Sequence, residues 1–249
     1  MTTFSGIFNV FDSQFMNGLT EVAARADAII TTTEFTKNDA INYIGKQSKN
    51  VYKLPMICDL FPIDEDKIEE EQKYFIWTTN MAFHKNHDAA MEALNIYYEK
   101  YDGILNCYIT GVNSRALNNS IKEMTFRKKI KAFGELSDLL YQKLLQNSAF
   151  LWHPTLLDNG TFSVVEAAAL GVPSLSSDYP AMREIDRQAS LNLTFFDSYD
   201  PWAMAKALAE FETGFRDKKL NLPTRKSLSN AVGVQANAAK YWGVVKQWL

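Results

Sequence analysis

The sequence is poor in the residues that announce covalent or metal chemistry. It has two cysteines in 249 residues, Cys58 and Cys107, far apart and without metal-ligand spacing. Each reads as a buried thiol. It has three histidines, His84, His87 and His153, and the pair His84-x-x-His87 supplies too few ligands for a zinc site. Gly-x-Gly-x-x-Gly, a Walker lysine loop, a nucleophile elbow and a cysteine–histidine pairing are all missing. No apolar run approaches the roughly 20 residues of a membrane-spanning helix. The first residues lack the basic-then-apolar layout of a secretion signal, so a cytoplasmic location is expected. A net charge of −3 and a pI of about 5.7 offer no general attraction for nucleic acid or anionic lipid. A local basic pocket for phosphate remains compatible with that field.

What is present favours a packed core: 47% of residues are hydrophobic and 13% aromatic, which argues against disorder. The hydrophobic period switches repeatedly between short β-rich runs and longer helical stretches. Strands are expected at Ala28–Thr32, Val51–Ile57, Tyr74–Thr79, Leu105–Thr110, Ile130–Phe133, Ala149–His153, Ser174–Ser177 and Leu193–Phe196. Helical segments between them include Asn86–Tyr101, Ser137–Asn147, Phe162–Leu170 and Pro201–Phe211. Several strands are continuously apolar, as expected when helices cover both faces of a sheet. The alternation predicts an α/β fold with a doubly wound parallel sheet. Pro55, Pro62 and the charged run from Asp64 to Lys73 punctuate the chain. They suggest three parts: residues 1–57, residues 58–224 carrying the main sheet, and a helical tail at 225–249. Trp242 and Trp248 in that tail are expected to dock it onto the core.

Open parallel sheets bind ligands beyond the carboxyl ends of their strands. Two loops stand out there. Thr78 to Asp88 places Lys85 at the end of a strand, where an ammonium group can neutralise a diphosphate. By spacing alone, a solvated loop lysine is the plainer reading. Trp152 to Glu166 carries Asp158 in a loop, then Gly160 and Thr161, a good N-cap for a helix ending near Gly171 and Pro173. Free amides at that helix start form an anion site. Asp158 and Glu166, separated by seven residues, fit hydrogen bonding to sugar hydroxyls on either side of a held phosphate. An exposed loop acid and an ordinary helix glutamate fit the spacing equally well.

At these loops the sequence resembles the large retaining glycosyltransferase family of two-Rossmann-domain, GT-B architecture, often called family 4. The resemblance runs from about Ala26 to Phe211. Ala26–Lys37 is similar to the last βα unit of that family's N-terminal domain, and Thr79–Lys85 to its phosphate-binding loop. Phe133-Gly134-Glu135-Leu136-Ser137 resembles the segment lying against the nucleotide base. Asp158 to Glu166 is similar to the paired-acid motif, and Ala167–Pro173 and Pro180–Ile185 follow in register. The resemblance implies roles residue by residue. Lys85 would contact the diphosphate and Asp158 the transferred sugar; these two would carry the catalysis. Donor binding would fall to Asn80, His84, Phe133, Gly134, Asn159, Gly160, Thr161, Phe162 and Glu166, with Glu166 on the ribose hydroxyls and amides around Gly160–Phe162 on the distal phosphate. Asn80 stands where the family normally has arginine, which removes one positive charge, and His84 is a candidate to compensate.

The implied reaction is transfer of a sugar from a nucleoside diphosphate to an acceptor hydroxyl with the anomeric configuration kept. It needs no cofactor and no metal. The acceptor would be a glycan or lipid-linked glycan, and the setting bacterial surface-polysaccharide synthesis. Residues 1–57 resemble the tail of an acceptor-side domain, so a missing domain or partner chain is expected to complete the enzyme and to place it at the inner face of the membrane. By itself the chain is expected to bind nucleotide and transfer little. A degenerate nucleotide-sugar-binding or regulatory module is one alternative, and another nucleotide-sugar enzyme, such as an epimerase, is a second.

Overall fold

In the computed structural model, residues 13–44, 50–62, 72–111, 115–158 and 162–249 are described. Most of the charged run that begins at Asp64 lies outside them. A first unit consists of α1 (Ser13–Arg25), β1 (Ile29–Thr31), α2 (Glu34–Ile44) and β2 (Val51–Lys53). Its two strands pair in parallel, Ile29 opposite Val51. The larger unit alternates β3 (Tyr74–Thr78), α3 (His87–Lys100), β4 (Asn106–Thr110), α4 (Arg115–Glu123), β5 (Ile130–Gly134), α5 (Asp138–Gln146), β6 (Leu151–His153), α6 (Phe162–Ala169), β7 (Ser174–Ser177), α7 (Pro180–Ala189), β8 (Thr194–Phe196) and α8 (Pro201–Leu220). Helices α9 (Arg225–Val232) and α10 (Val234–Val245) close the chain. The fold is α/β, and all eight expected strands form, most of them a residue or more shorter than the apolar runs that marked them.

The six strands β3–β8 make one parallel sheet in the order β5-β4-β3-β6-β7-β8. The chain moves outward from β3 to β5, then returns to the other side of β3 with β6. That reversal is the topological switch point, where the helices after β3 and β6 leave on opposite faces and a crevice opens between the two loops.

The sheet is buried on both faces. Phe75, Trp77, Phe150 and Trp152 pack on one side against α3 and α8, with Phe75 stacked on Phe150 at 5.0 Å and Trp77 edge-on to Trp152 at 5.4 Å between ring centroids. Ile76 and Leu151 point to the other face, where α6 and α7 contribute Val164, Val165, Met182 and Ile185. A core of this kind stabilises through removal of apolar area from water, about 25 cal/mol per Å².

Two expectations about helices change. Helix α8 continues to Leu220, well past Phe211, because Phe215 extends the buried stripe of Leu208 and Phe211 by one more turn and holds Gly214 in helical geometry. Trp242 and Trp248 do not dock the tail: they are 58% and 40% exposed. The tail is held instead by Leu228 and Val232 of α9, buried in the core under α6 and α7, and by Arg225, which donates to the Leu60 carbonyl at 3.1 Å. Fully buried Asn237 ties α10 to α9, its amide donating to the carbonyls of Ala231 at 3.2 Å and Gly233 at 3.0 Å. Tyr241 also donates to the Pro55 carbonyl at 2.7 Å in the connection after the first unit, and Gln247 accepts from the Tyr52 hydroxyl of β2 at 3.2 Å.

Candidate functional site

The loop after β3 is shaped by short-range bonds. Thr79 is buried; its amide donates to the Thr110 carbonyl at 2.9 Å, and its hydroxyl lies 2.8 Å from Nε2 of His87. Gly111, at φ +96°, lets the end of β4 approach this turn, since a Cβ there would stand 2.0 Å from the Thr79 carbonyl oxygen. Asn80 is exposed and folds back to accept the Ala82 amide at 3.0 Å, so it closes its own turn. A single 3₁₀ turn, Phe83–Lys85, then delivers Lys85 to the crevice. Asn86, in the left-handed region at φ 59°, starts α3 and anchors the loop by donating from its side chain to the Ser198 carbonyl at 2.8 Å.

The loop after β6 meets it directly. The Leu156 amide donates to the His84 carbonyl at 2.8 Å, and Lys85 Nζ lies 2.7 Å from Asp158 Oδ2. Both side chains are largely withdrawn from water, 13% and 24% exposed. Burial by itself raises the Asp158 carboxyl, but the charge and direct hydrogen bond of Lys85, with smaller contributions from His153 and His84, hold it below its ordinary value. His153, fully enclosed at the end of β6 beside the Ser176 hydroxyl, is pushed down to about 3 by burial and by the Lys85 charge. His84 is likewise lowered, first by burial and then by Lys85. That direction favours the neutral ring.

Lys85, His84, His153 and Asp158 thus come together at the switch point. Phe133 and Gly134 end β5, two strands away on the same carboxyl edge; Phe133 packs edge-on to Tyr108 at 5.1 Å. Phe162, 46% exposed, opens α6. Asn159, Gly160 and Thr161 lie outside the described residues. Glu166 sits one turn into α6 and is half-buried. Burial and then the charge of Asp138 raise its carboxyl to about 7. Burial first, and then the charge of Glu166, raise the Cys58 thiol to about 11 and push up the Tyr141 hydroxyl. Sequence reasoning did not single out Tyr141 or Asp138 as neighbours of Glu166, and no spacing in the chain signals them. Among the described residues no three His, Cys, Asp or Glu side chains gather as a metal site would require. No helix among them is long and apolar enough to cross a membrane.

The switch-point crevice, its lysine and the helix after the acidic loop invite comparison with known sugar-transferring proteins. The family model of glycosyl transferases group 1 matches residues 60–228. The chain belongs to that family. Group 1 membership agrees with its structural neighbours, which are glycosyltransferases of GT-B, Rossmann-like architecture. TarM of S. aureus superposes with a TM-score of 0.73 at 15% identity over 95% of this chain and 47% of its own. Anabaena HepE in complex with UDP-glucose gives 0.75 at 12% identity, covering 95% of this chain and 68% of that one. The pneumococcal O-GlcNAc transferase GtfA, in complex with UDP and GlcNAc, gives 0.68 at 12%, covering 94% and 48%. Identities this low establish likeness of fold. No curated protein sequence matches. This group 1 chain spans about half the length of TarM and GtfA.

Proposed function

We propose that this chain is the donor-binding part of a retaining hexosyltransferase that moves a sugar from a nucleoside diphosphate to a hydroxyl of a glycan or lipid-linked glycan. The observation that carries the reading is the placement of Lys85 and Asp158 in one partly closed crevice at the sheet's switch point. When the C1–O bond to the diphosphate breaks, negative charge grows on the departing phosphate. The Lys85 ammonium and the amides opening α6 are the groups available to stabilise it, without a metal or other cofactor. Asp158 faces the sugar hydroxyls, and Glu166 accepts hydrogen bonds from the ribose. Phe133 and Gly134 border the base, and His84, Asn80 and Asn159–Phe162 line the remaining donor path.

Residues 58–224 are then the donor-binding domain, residues 1–57 the tail of an acceptor-side domain, and 225–249 the helical tail. The remaining acceptor side comes from further chain or from a partner. Complexes of HepE and GtfA with UDP support a uridine diphosphate donor as the first to test. Surface-polysaccharide synthesis at the inner face of a bacterial membrane is the setting we assign. Calorimetry with UDP-, GDP- and dTDP-sugars tests the reading. One of them should bind the wild-type chain and fail to bind Lys85→Ala; absence of binding to all of them would refute it. A second reading, a binding module without transfer activity, is motivated by Asn80 in place of a cation. Product analysis on the completed enzyme separates the two.

A further inference from the structure

The first four amides of a helix have no partner within it and must be satisfied from elsewhere. In α2 the Thr36 amide is taken locally by the Thr33 hydroxyl at 3.0 Å. The first two amides are not satisfied within the first unit. Glu34 N–H donates to Glu184 Oε2 at 2.7 Å and Phe35 N–H to Glu184 Oε1 at 2.8 Å, across 150 and 149 residues of chain. Glu184 belongs to α7 of the six-stranded unit, and its side chain is only 18% exposed. Lys53 at the end of β2 adds a second approach, with Nζ 3.9 Å from Glu184 Oε2. One carboxylate therefore grips the positive end of α2 with both oxygens. Charge-assisted bonds to a helix start are among the stronger polar contacts available.

The grip also has a place. Beside it lies a cavity of about 660 Å³, walled by Phe35 and Asn38 of α2 on one side and, on the other, by Tyr179 just before α7 and by Arg183 and Arg187 within it. Arg183 is held there by Asp178, with Nε and Nη2 at 2.5 and 2.6 Å from its two carboxylate oxygens. The loop leading to α7 follows β7, the strand next to β6, so this cavity opens on the same carboxyl edge as the crevice. We propose that Glu184 is a positioning residue, a latch that sets the spacing of the two units and so the width of the cleft between α2 and α7. Its influence on transfer rests on the donor-binding reading above; the latch itself rests on the contacts alone.

Pulsed dipolar spectroscopy tests it. Nitroxide labels go on Asn42→Cys in α2 and Lys206→Cys in α8, both exposed, while Cys58 and Cys107 are buried and spared. Glu184→Ala should lengthen and broaden the distance distribution relative to the Glu184 background, and Glu184→Gln, which keeps one accepting oxygen, should fall between. Identical distributions in all three would overturn the latch. Should Glu184→Ala not fold, amide exchange in the unsubstituted chain decides. Glu34 and Phe35 should be protected at least tenfold over exposed loop amides, and exchange at the loop rate would sink the proposal. Nucleotide affinity of Glu184→Ala should stay within twofold of wild type. Loss of nucleotide binding by the wild-type chain would count against the donor-binding reading and leave the latch standing.

Discussion

The ammonium of Lys85 is already paired, 2.7 Å from the Asp158 carboxylate, before any diphosphate arrives. On the proposed reading a donor competes with an internal anion for Lys85, the cation that the described residues bring to the switch point. The same reading has the two residues opposed in binding and cooperative in catalysis. Lys85→Ala leaves Asp158 without its counter-charge and removes transition-state stabilisation. Transfer by the completed enzyme should fall about 100- to 1000-fold, as for loss of one preorganised donor. Steady-state rates at saturating donor check this.

Asp158→Asn gives a contrasting outcome. It frees Lys85 for phosphate, so the bare nucleoside diphosphate should bind as tightly as to wild type or up to about tenfold more tightly, a gain of up to about 1.4 kcal/mol. Transfer should nevertheless drop, because the carboxylate facing the sugar is lost. Calorimetry with nucleotide alone, beside the transfer assay, separates the effects; weaker nucleotide binding in this variant would contradict the competition.

Glu166 should make donor binding pH-dependent. Its carboxyl titrates near 7 because burial and Asp138 disfavour the charge, whereas the ribose hydroxyls need the anion as acceptor. Affinity should rise with pH from 5.5 to 8, by up to about tenfold per unit below 7, and Glu166→Gln should flatten the profile. Stability moves in the opposite direction. A carboxyl raised in the fold from 4.5 to about 7 favours the folded state below pH 4.5, and this contribution diminishes as pH rises through 7. Glu166→Gln should therefore gain stability relative to wild type at pH 8 and show no comparable gain at pH 4. Urea unfolding at the two pH values measures it.

Most strands were legible because they are short β-rich runs closed by turn residues, and Phe75–Trp77 or Leu151–Trp152 leave little choice but burial. The two switch-point loops were legible for the same reason, as the segments between such runs and the next helix. What the chain did not reveal was contact. Lys85 meets Asp158 across 73 residues, and Glu184 meets α2 across 150; no periodicity encodes either. Helix α4 was not among the segments singled out; it is a short, mostly polar helix that turns Leu117 and, one turn on, Ile121 toward the core. Trp242 misled because hydrophobicity alone does not say which face of a terminal helix turns inward.

The approach of β3 and β4 at the site depends on Gly111. Its φ is +96°, and a methyl group added there would stand 2.0 Å from the Thr79 carbonyl oxygen, so Gly111→Ala meets both backbone strain and a backbone clash. It should cost roughly 2 kcal/mol or more of stability. The turn carrying Asn80 and Lys85 should shift with it, so nucleotide binding should weaken even in conditions where the variant remains folded. Unfolding midpoints and calorimetry on the same preparation would show this; a variant with wild-type affinity would mean the turn is not set by this packing.

The terminal helix offers a test of burial against residue type. Trp242 is the larger side chain, yet it is 58% exposed, while Val244, two residues on, is 6% exposed. Removing an exposed side chain away from special contacts changes stability by no more than about 0.5 kcal/mol. Emptying a buried site loses transfer free energy and leaves a cavity, here roughly 1–2 kcal/mol for the smaller valine. Trp242→Ala should therefore be nearly silent in urea unfolding, and Val244→Ala should lower the midpoint clearly. The reverse order would place the tryptophan face of α10 against the body of the protein in solution, and the helix would have to be rotated about its axis relative to the contacts of Asn237 and Tyr241.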